Sequence, residues 1–144
     1  MNGTPTLTVG GNVLNFNGFD ELNGGSGFDT FLMAAATGFS LNGGDGNDRF
    51  QFENSGSLTG SIDGGGGATD EILGDTNGNA FSITGVNIGT LTGKTSGWSN
   101  VEQLLGGTGN DLFTFTNAGS LAGSINGLAG GHGAIPSDKN GTPV

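Results

Sequence analysis

Short apolar runs alternate along the chain with glycine-rich phrases, and this alternation predicts β-strands joined by tight turns. In the runs Phe50–Phe52 and Phe113–Phe115, large apolar residues are separated by polar ones, and Phe31–Ala34 is a third apolar strand candidate. A two-residue period of this kind is typical of a strand with one buried face. Glycine interrupts every window of helical length, so no helix longer than one turn is expected. The pattern therefore predicts an all-β chain.

The glycine-rich phrase recurs at a regular interval. The segment 41–62 returns as 104–125 at a constant offset of 63 residues, and shorter or looser copies begin at Leu22 and Ile62. The spacings between the copies give a period of about 20 residues, with one unmarked repeat near 83–103. A repeat of this length cannot bury its apolar face alone and must stack on its neighbours.

We therefore expect a right-handed parallel β-solenoid of about five to six rungs, each of about 20 residues. It would occupy residues 1–132, with a strand at 6–16 as its cap or first rung, and 133–144 would be a linker or tail. The wall opposite the first set of strands would comprise Phe39–Leu41, Leu58–Ile62, Phe81–Ile83 and Leu121–Ile125.

Each complete phrase ends in an aspartate, as at 43–48, and this combination indicates a calcium site. Glycines tolerate positive φ and carry no Cβ, so carbonyl oxygens can face an ion. Calcium takes about six to eight oxygens at ~2.3–2.6 Å, which requires two stacked turns. The period would place Asp29, Asp48 and Asp70 in one column. The candidate ligands are Gly24, Ser26, Asp29, Gly43, Asp45, Asp48, Gly64, Asp70, Gly106, Thr108 and Asp111.

The charge balance favours a cation in these turns. The chain has 13 acidic and 3 basic residues, for a net charge of −10. Carboxylates on strands about 4.8 Å apart would repel each other by roughly 1–3 kcal/mol per pair, depending on hydration. The alternative is that each aspartate accepts a hydrogen bond from its own backbone in an Asx turn.

Composition argues against several other functions. An acidic chain lacks the basic patch that nucleic acids require, and anionic membrane surfaces would repel it. No apolar run approaches the ~18 residues of a membrane-spanning helix. The chain has no cysteine, and its single histidine, His132, has no nucleophile motif beside it. We therefore expect no enzymatic activity.

The segments Gly43–Gln51 and Gly106–Thr114 resemble the calcium-binding nonapeptide of RTX repeats. Over residues 18–128 the wider pattern is similar to the tandem repeats of giant bacterial surface adhesins of haemagglutinin type. The resemblance implies a secreted, extracellular module of the bacterial cell surface, exported by a signal outside this segment, with Ca²⁺ as its folding cofactor. Such repeats mostly serve as stalks or adhesive shafts.

Two other functions remain open beside a structural shaft. Open end rungs could stack copies of the chain end to end into an extracellular filament. The module could also bind a glycan or another host-surface ligand. The segment 2–5 reappears as 140–143, which is consistent with one unit of a tandem array whose partners are neighbouring repeats. We expect neither nucleic-acid binding nor membrane insertion.

Overall fold

The computed structural model describes residues 19–116 and 118–129, together with the backbone of Thr6–Val9 and Asn12–Asn15. Within these ranges the chain forms strands and turns without a helix, so the all-β prediction is confirmed. No helix there is long and apolar enough to cross a membrane. His132 and the predicted tail at 133–144 lie outside the described residues.

The strands follow one another along the chain as β1 (Thr6–Val9), β2 (Asn12–Asn15), β3 (Glu21–Ser26), β4 (Thr30–Met33), β5 (Ala36–Thr37), β6 (Ser40–Asp45), β7 (Arg49–Phe52), β8 (Ser57–Leu58), β9 (Ile62–Asp63), β10 (Glu71–Leu73), β11 (Ala80–Gly85), β12 (Ile88–Leu91), β13 (Trp98–Ser99), β14 (Gln103–Leu105), β15 (Leu112–Phe115) and β16 (Ile125–Asn126). The strand predicted at 6–16 is in fact two strands, because β1 and β2 pair antiparallel with each other.

Five parallel strands form the first sheet, in the order β16, β14, β10, β7, β4. Phe31, Phe50, Ile72 and Leu104 occupy equivalent positions in it. Residues just before these strands are linked across the sheet by hydrogen bonds that span 19, 22 and 32 residues of sequence. Two of the three steps match the predicted period, and the third is much longer.

A seven-stranded second sheet has the order β15, β11, β12, β13, β9, β6, β3. In this sheet β3 pairs parallel with β6, β6 with β9, and β9 with β13, as the repeat pattern predicts. The long step interrupts this pattern with a hairpin, because β12 pairs antiparallel with both β11 and β13. Strands β5 and β8 form a small parallel pair of their own.

The core contains the inward-facing apolar residues of both large sheets. Phe50 and Ile72 are completely buried, and the rings of Phe31 and Phe50 stack with centroids 5.1 Å apart. Phe81 and Phe113 stack in the same way at 4.8 Å. Offset stacking of this kind adds to the free energy gained from burying the rings.

Two of the predicted wall positions are wrong. The sequence pattern placed Leu121–Ile125 opposite Phe50–Phe52, but Ile125 lies in β16, which pairs with β14 in the first sheet. The 63-residue offset placed Phe113–Phe115 on the same wall as Phe50–Phe52. In the structure β15 pairs with β11 in the second sheet, whereas β7 lies in the first. The reason is that the turn at 106–111 follows β14 and therefore leads out of the first sheet, while the turn at 46–48 leads into it.

Candidate functional site

Four acidic residues form a column at the edge of the first sheet. Each lies just before one of its parallel strands, so stacking of the strands superimposes them. The Asp29 N–H donates to Asp48 Oδ1 at 2.8 Å, and the Asp48 N–H donates to Asp70 Oδ1 at 2.7 Å. The Asp70 N–H donates to Glu102 Oε2 at 3.0 Å. The column predicted for Asp29, Asp48 and Asp70 thus continues to Glu102.

The second carboxylate oxygen of each aspartate in this column has no hydrogen-bond donor. Oδ2 of Asp29, Asp48 and Asp70 is buried and without a partner among the described residues. Asp48 and Asp70 as whole residues are only 1% exposed. A buried acceptor without a donor costs about 1–3 kcal/mol, and more when it is charged. Each of these oxygens therefore requires a donor or a cation.

Glycines place a carbonyl oxygen close to each of the first two unpaired oxygens. A Cβ atom built on Gly24 would lie 2.6 Å from Asp29 Oδ2 and 2.5 Å from the carbonyl oxygen of Gly43. A Cβ on Gly43 would likewise collide with Asp48 Oδ2 and the carbonyl oxygen of Gly64. At each of these two glycines, a carboxylate oxygen and a carbonyl oxygen thus lie in the space that a side chain would fill. Carboxylate and carbonyl oxygens are ligands of the type that calcium takes.

The stacked turns are already connected to one another through their backbones. Gly44 and Gly65 have φ values of +99° and +93°, which favour glycine over other residues. The Gly46 N–H donates to the carbonyl of Gly66 at 2.7 Å, and the Gly66 N–H donates to the carbonyl of Gly44 at 2.7 Å. The turns therefore keep a fixed register between neighbouring repeats.

The remaining predicted ligands are distributed differently. Ser26, Asp45 and Thr108 have exposed side chains, outside the buried column. Gly64 lies beside the column, since a Cβ there would be 2.9 Å from Asp70 Cβ. No three or more acidic or histidine side chains in the described ranges are grouped as a metal site. A cation in the column would thus depend on single carboxylates combined with carbonyl oxygens.

Asp111 and Gly106 belong to a second column that lies between β14 and β15. The Asn79 N–H donates to Asp111 Oδ1 at 2.9 Å. Asn79 Nδ2 donates to the carbonyl oxygen of Gly106 at 2.7 Å and to that of Asp75 at 3.1 Å. Asp111 Oδ2 is buried without a partner, like the unpaired oxygens of the first column. Asp111 therefore shares its chemistry with Asp48 but not its position.

Sequence reasoning missed the copy of the phrase that contains Asn79. Segment 73–81 lies in register with 105–113, and both begin with Leu-Gly and end in Phe. Asp75 stands in place of the second glycine and Asn79 in place of the final aspartate, so a search for the acidic phrase passes over it. The paired Leu-Gly and Phe positions were the available signal. The unmarked repeat near 83–103 is instead the hairpin and its return to β13.

Asx turns are present, but at different residues from those proposed as the alternative. Asn42 Oδ1 accepts the Gly44 N–H at 3.1 Å, and Asp63 Oδ1 accepts the Gly65 N–H at 3.1 Å. These residues precede the glycine pair, whereas Asp48 follows it. The backbone donor to Asp48 Oδ1 comes from the neighbouring repeat.

Electrostatics in the column disfavour negative charge on Asp70. Burial, with a smaller contribution from the nearby carboxylates of Glu102, Asp48 and Asp63, raises the pKa of its carboxyl to about 6. The hydrogen bond from the Asp48 N–H acts in the opposite direction and is outweighed. Ionisation of Asp70 at neutral pH therefore strains the folded chain unless a cation lies nearby.

A buried ion pair joins two turns on the other side of the molecule. Lys94 Nζ lies 2.6 Å from Asp75 Oδ2, and their side chains are 14% and 3% exposed. Burial alone would raise the pKa of the Asp75 carboxyl, but its hydrogen bonds with Lys94 and Asn77 outweigh burial and hold the pKa below its ordinary value. Lys94 also donates to the carbonyl oxygens of Asn54 and Gly56 at 3.1 and 3.2 Å.

No family model matches the chain, and neither a curated protein nor a solved structure shows a significant match. The functional interpretation therefore rests on the geometry of the two columns.

Proposed function

We propose that the chain is a calcium-binding structural repeat module built as a right-handed parallel β-solenoid. The observation that carries this proposal is the row of buried, unpaired Oδ2 oxygens on Asp29, Asp48 and Asp70. The parallel register of the first sheet and the stacking of the glycine turns support the solenoid interpretation. Because each buried Oδ2 has no donor among the described residues, an external cation between successive repeats would satisfy it.

Calcium would be held between successive repeats. Asp29 Oδ2 with the carbonyl of Gly43, and Asp48 Oδ2 with the carbonyl of Gly64, are the groups that would hold it. A divalent ion would satisfy the buried oxygens and reduce the repulsion between stacked carboxylates. Because calcium would bind the folded state and not the unfolded chain, its binding free energy would add directly to stability.

We further propose that this module is an extracellular shaft of a bacterial surface adhesin, acting without catalysis. Calcium sites of extracellular modules typically have dissociation constants of about 10⁻⁴–10⁻³ M, so such a site fills only in calcium-rich medium. Folding would then be completed outside the cell. A net charge of −10 agrees with a cation-dependent module and disfavours contact with nucleic acid.

One observation favours end-to-end packing as a second function. Leu22 and Leu41 occupy equivalent positions on adjacent strands, yet Leu22 is 41% exposed and Leu41 only 2%. Strand β3, which carries Leu22, is the end strand of the second sheet. Among the described residues nothing covers this end of the stack, and a neighbouring repeat or second copy would do so. Light scattering over a range of protein concentrations tests this, since a passive monomeric shaft would give a constant mass.

Thermal unfolding in EGTA, in millimolar calcium and in millimolar magnesium tests the calcium proposal. At about 10 mM calcium, which is about 100 times a dissociation constant of 10⁻⁴ M, binding at one site adds about 2.7 kcal/mol. For a domain of this size, that corresponds to a rise of about 5–15 °C in Tm. Magnesium should give a smaller rise, because it requires a more rigid octahedral set of ligands. Superimposable curves in EGTA and calcium would reject the proposal.

A further inference from the structure

The longest repeat differs from its neighbours in how its acidic groups are satisfied. Between β10 and β14 the column advances by 32 residues instead of 19 or 22. The additional segment, 74–97, contains the β11–β12 hairpin and the return to β13. Three nitrogen donors in this segment, on Asn79, Asn87 and Lys94, bond to groups of the acidic turns.

Asn79 places an amide where other repeats have an unpaired carboxylate oxygen. A Cβ on Gly74 would lie 2.6 Å from Asn79 Nδ2, just as a Cβ on Gly24 would lie 2.6 Å from Asp29 Oδ2. The Asn79 amide donates to the carbonyl oxygen of Gly106 at 2.7 Å. Asp29 Oδ2 shares its corresponding space with the carbonyl oxygen of Gly43 and has no hydrogen to donate when ionised. Asparagine thus supplies the donor that aspartate lacks.

Asn87 performs the same task for the last acid of the first column. Its Nδ2 donates to Glu102 Oε1 at 2.8 Å, while the Asp70 N–H donates to Oε2. Both carboxylate oxygens of Glu102 are therefore paired, in contrast to Asp70. Asn87 reaches this position from the tip of the hairpin, in the left-handed conformation with φ of 53°.

Lys94, the third nitrogen donor of this segment, carries a full positive charge. Its ammonium contacts the buried carboxylate of Asp75 and the backbone carbonyl oxygens of Asn54 and Gly56. A carboxylate with several carbonyl oxygens is the kind of environment that a bound cation occupies elsewhere. Here a side chain of the protein fills it.

We propose that segment 74–97 supplies its own nitrogen donors in place of calcium, so that the longest repeat stays folded when calcium is removed. This inference rests on the proposed function, since it divides the stack into a calcium-dependent part around Asp29 and Asp48 and a calcium-independent part around Asn79. Calcium depletion would then open the molecule from the N-terminal repeats.

Hydrogen exchange of individual backbone amides, measured in calcium and in EGTA, tests the division. Removal of calcium should speed exchange of the Asp29 and Asp48 amides by about tenfold or more, because local opening becomes easier. The Asn87 and Glu102 amides should change by less than about twofold, since they donate to backbone carbonyl oxygens and need no ion. Equal acceleration at all four amides in EGTA would overturn the inference.

The substitution Asn79→Asp tests the same inference from the opposite side. It removes the amide donor without changing the shape of the side chain. In EGTA the variant should melt about 5–10 °C below wild type, and millimolar calcium should restore at least half of that loss. Asn110→Asp is the matched control, because Asn110 is exposed in the adjacent turn and undergoes the same change of charge. Its Tm should stay within about 2 °C of wild type in both buffers.

The two proposals fail in different ways. If calcium does not raise the Tm of wild type but does raise the Tm of Asn79→Asp, the calcium sites at Asp29 and Asp48 are rejected and the role of Asn79 stands. If Asn79→Asp melts like wild type in EGTA, or loses the same amount with and without calcium, the amide does not replace a cation. In that case the inference is rejected whatever wild type does.

Discussion

The substitution Asp48→Asn should stabilise the protein in the absence of calcium. Asparagine keeps the Oδ1 acceptor for the Asp29 N–H, a bond of 2.8 Å in the structure. It replaces the buried, unpaired Oδ2 with an amide that can donate to the nearby carbonyl oxygen of Gly64. The same arrangement already exists in the chain, where Asn79 donates to Gly106 at 2.7 Å.

The size of the effect follows from the position of Asp48 between two other carboxylates. Neighbouring strands lie about 4.8 Å apart, and a like-charge pair at that distance costs roughly 1–3 kcal/mol. Loss of the charge relieves repulsion from both Asp29 and Asp70, and pairing of the orphaned atom adds about 1 kcal/mol. Because the larger repulsion figures apply only to poorly hydrated pairs, we expect a net gain of about 2–4 kcal/mol, or about 10 °C in Tm.

Urea and thermal unfolding in EGTA and in calcium would measure this gain. In EGTA the variant should be more stable than wild type, and in calcium its advantage should shrink or reverse, because a calcium ligand has been lost. Asp20→Asn is the control, since Asp20 is exposed and the change in charge is the same. If Asp48→Asn destabilises the protein in EGTA, the Asp48 carboxylate is already satisfied without a cation and the reasoning is wrong.

Three further predictions concern other parts of the structure. In calcium-free buffer, the free energy of unfolding should fall as pH rises from about 4 to about 6, because the pKa of Asp70 is about 6 in the folded chain against an ordinary 3.8. Urea unfolding of wild type and of Asp70→Asn checks this, and only wild type should show this fall in stability with pH. In thermal unfolding, Gly43→Ala should prevent stable folding or reduce Tm by more than 10 °C, because the added Cβ would collide with Asp48 Oδ2. Gly38→Ala should leave Tm nearly unchanged, because the atom nearest to its Cβ, Thr59 Oγ1, would be 3.9 Å away. Lys94→Met should cost about 3–5 kcal/mol in urea unfolding, since it leaves a buried carboxylate uncompensated; a loss below 1 kcal/mol would show that the pair contributes little.

The sequence carried enough information for the all-β class and for three of the four acidic residues of the first column. Alternation in segments such as 50–52 identified strands, and the glycine phrases identified the turns between them. Because the steps between Asp29, Asp48 and Asp70 are close to one period, a single repeat length was sufficient to superimpose them. Strand alternation and turn chemistry are local properties, so they can be read without knowledge of the tertiary structure.

The direction in which the chain leaves a turn is not a local property. The phrases at 43–48 and 106–111 are nearly identical, yet one leads into the first sheet and the other out of it. The difference arises from the long segment before β14, whose hairpin shifts the later strands relative to the repeat. Packing of Phe113 on Phe81, at 4.8 Å between ring centroids, then fixes β15 in the second sheet.

The chemistry of Asn79 and Lys94 escaped the sequence because it depends on contacts far apart in the chain. Asn79 bonds to a carbonyl 27 residues away, and Lys94 to carbonyls about 40 residues away. An asparagine in place of an aspartate looks like loss of a site when only the phrase is considered. The structure shows that the amide and the carboxylate occupy equivalent positions with opposite hydrogen-bonding character.

Diffraction from crystals grown in calcium, compared with crystals transferred to EGTA, tests the calcium-binding claim most directly. We predict difference density for an ion contacting Asp48 Oδ2, and its loss on chelation. An oxygen shell at 2.3–2.6 Å would identify the ion as calcium. If Asp48 Oδ2 instead makes the same contacts in both crystals, with no ion beside it, the column is held together without a metal and the proposed function is contradicted.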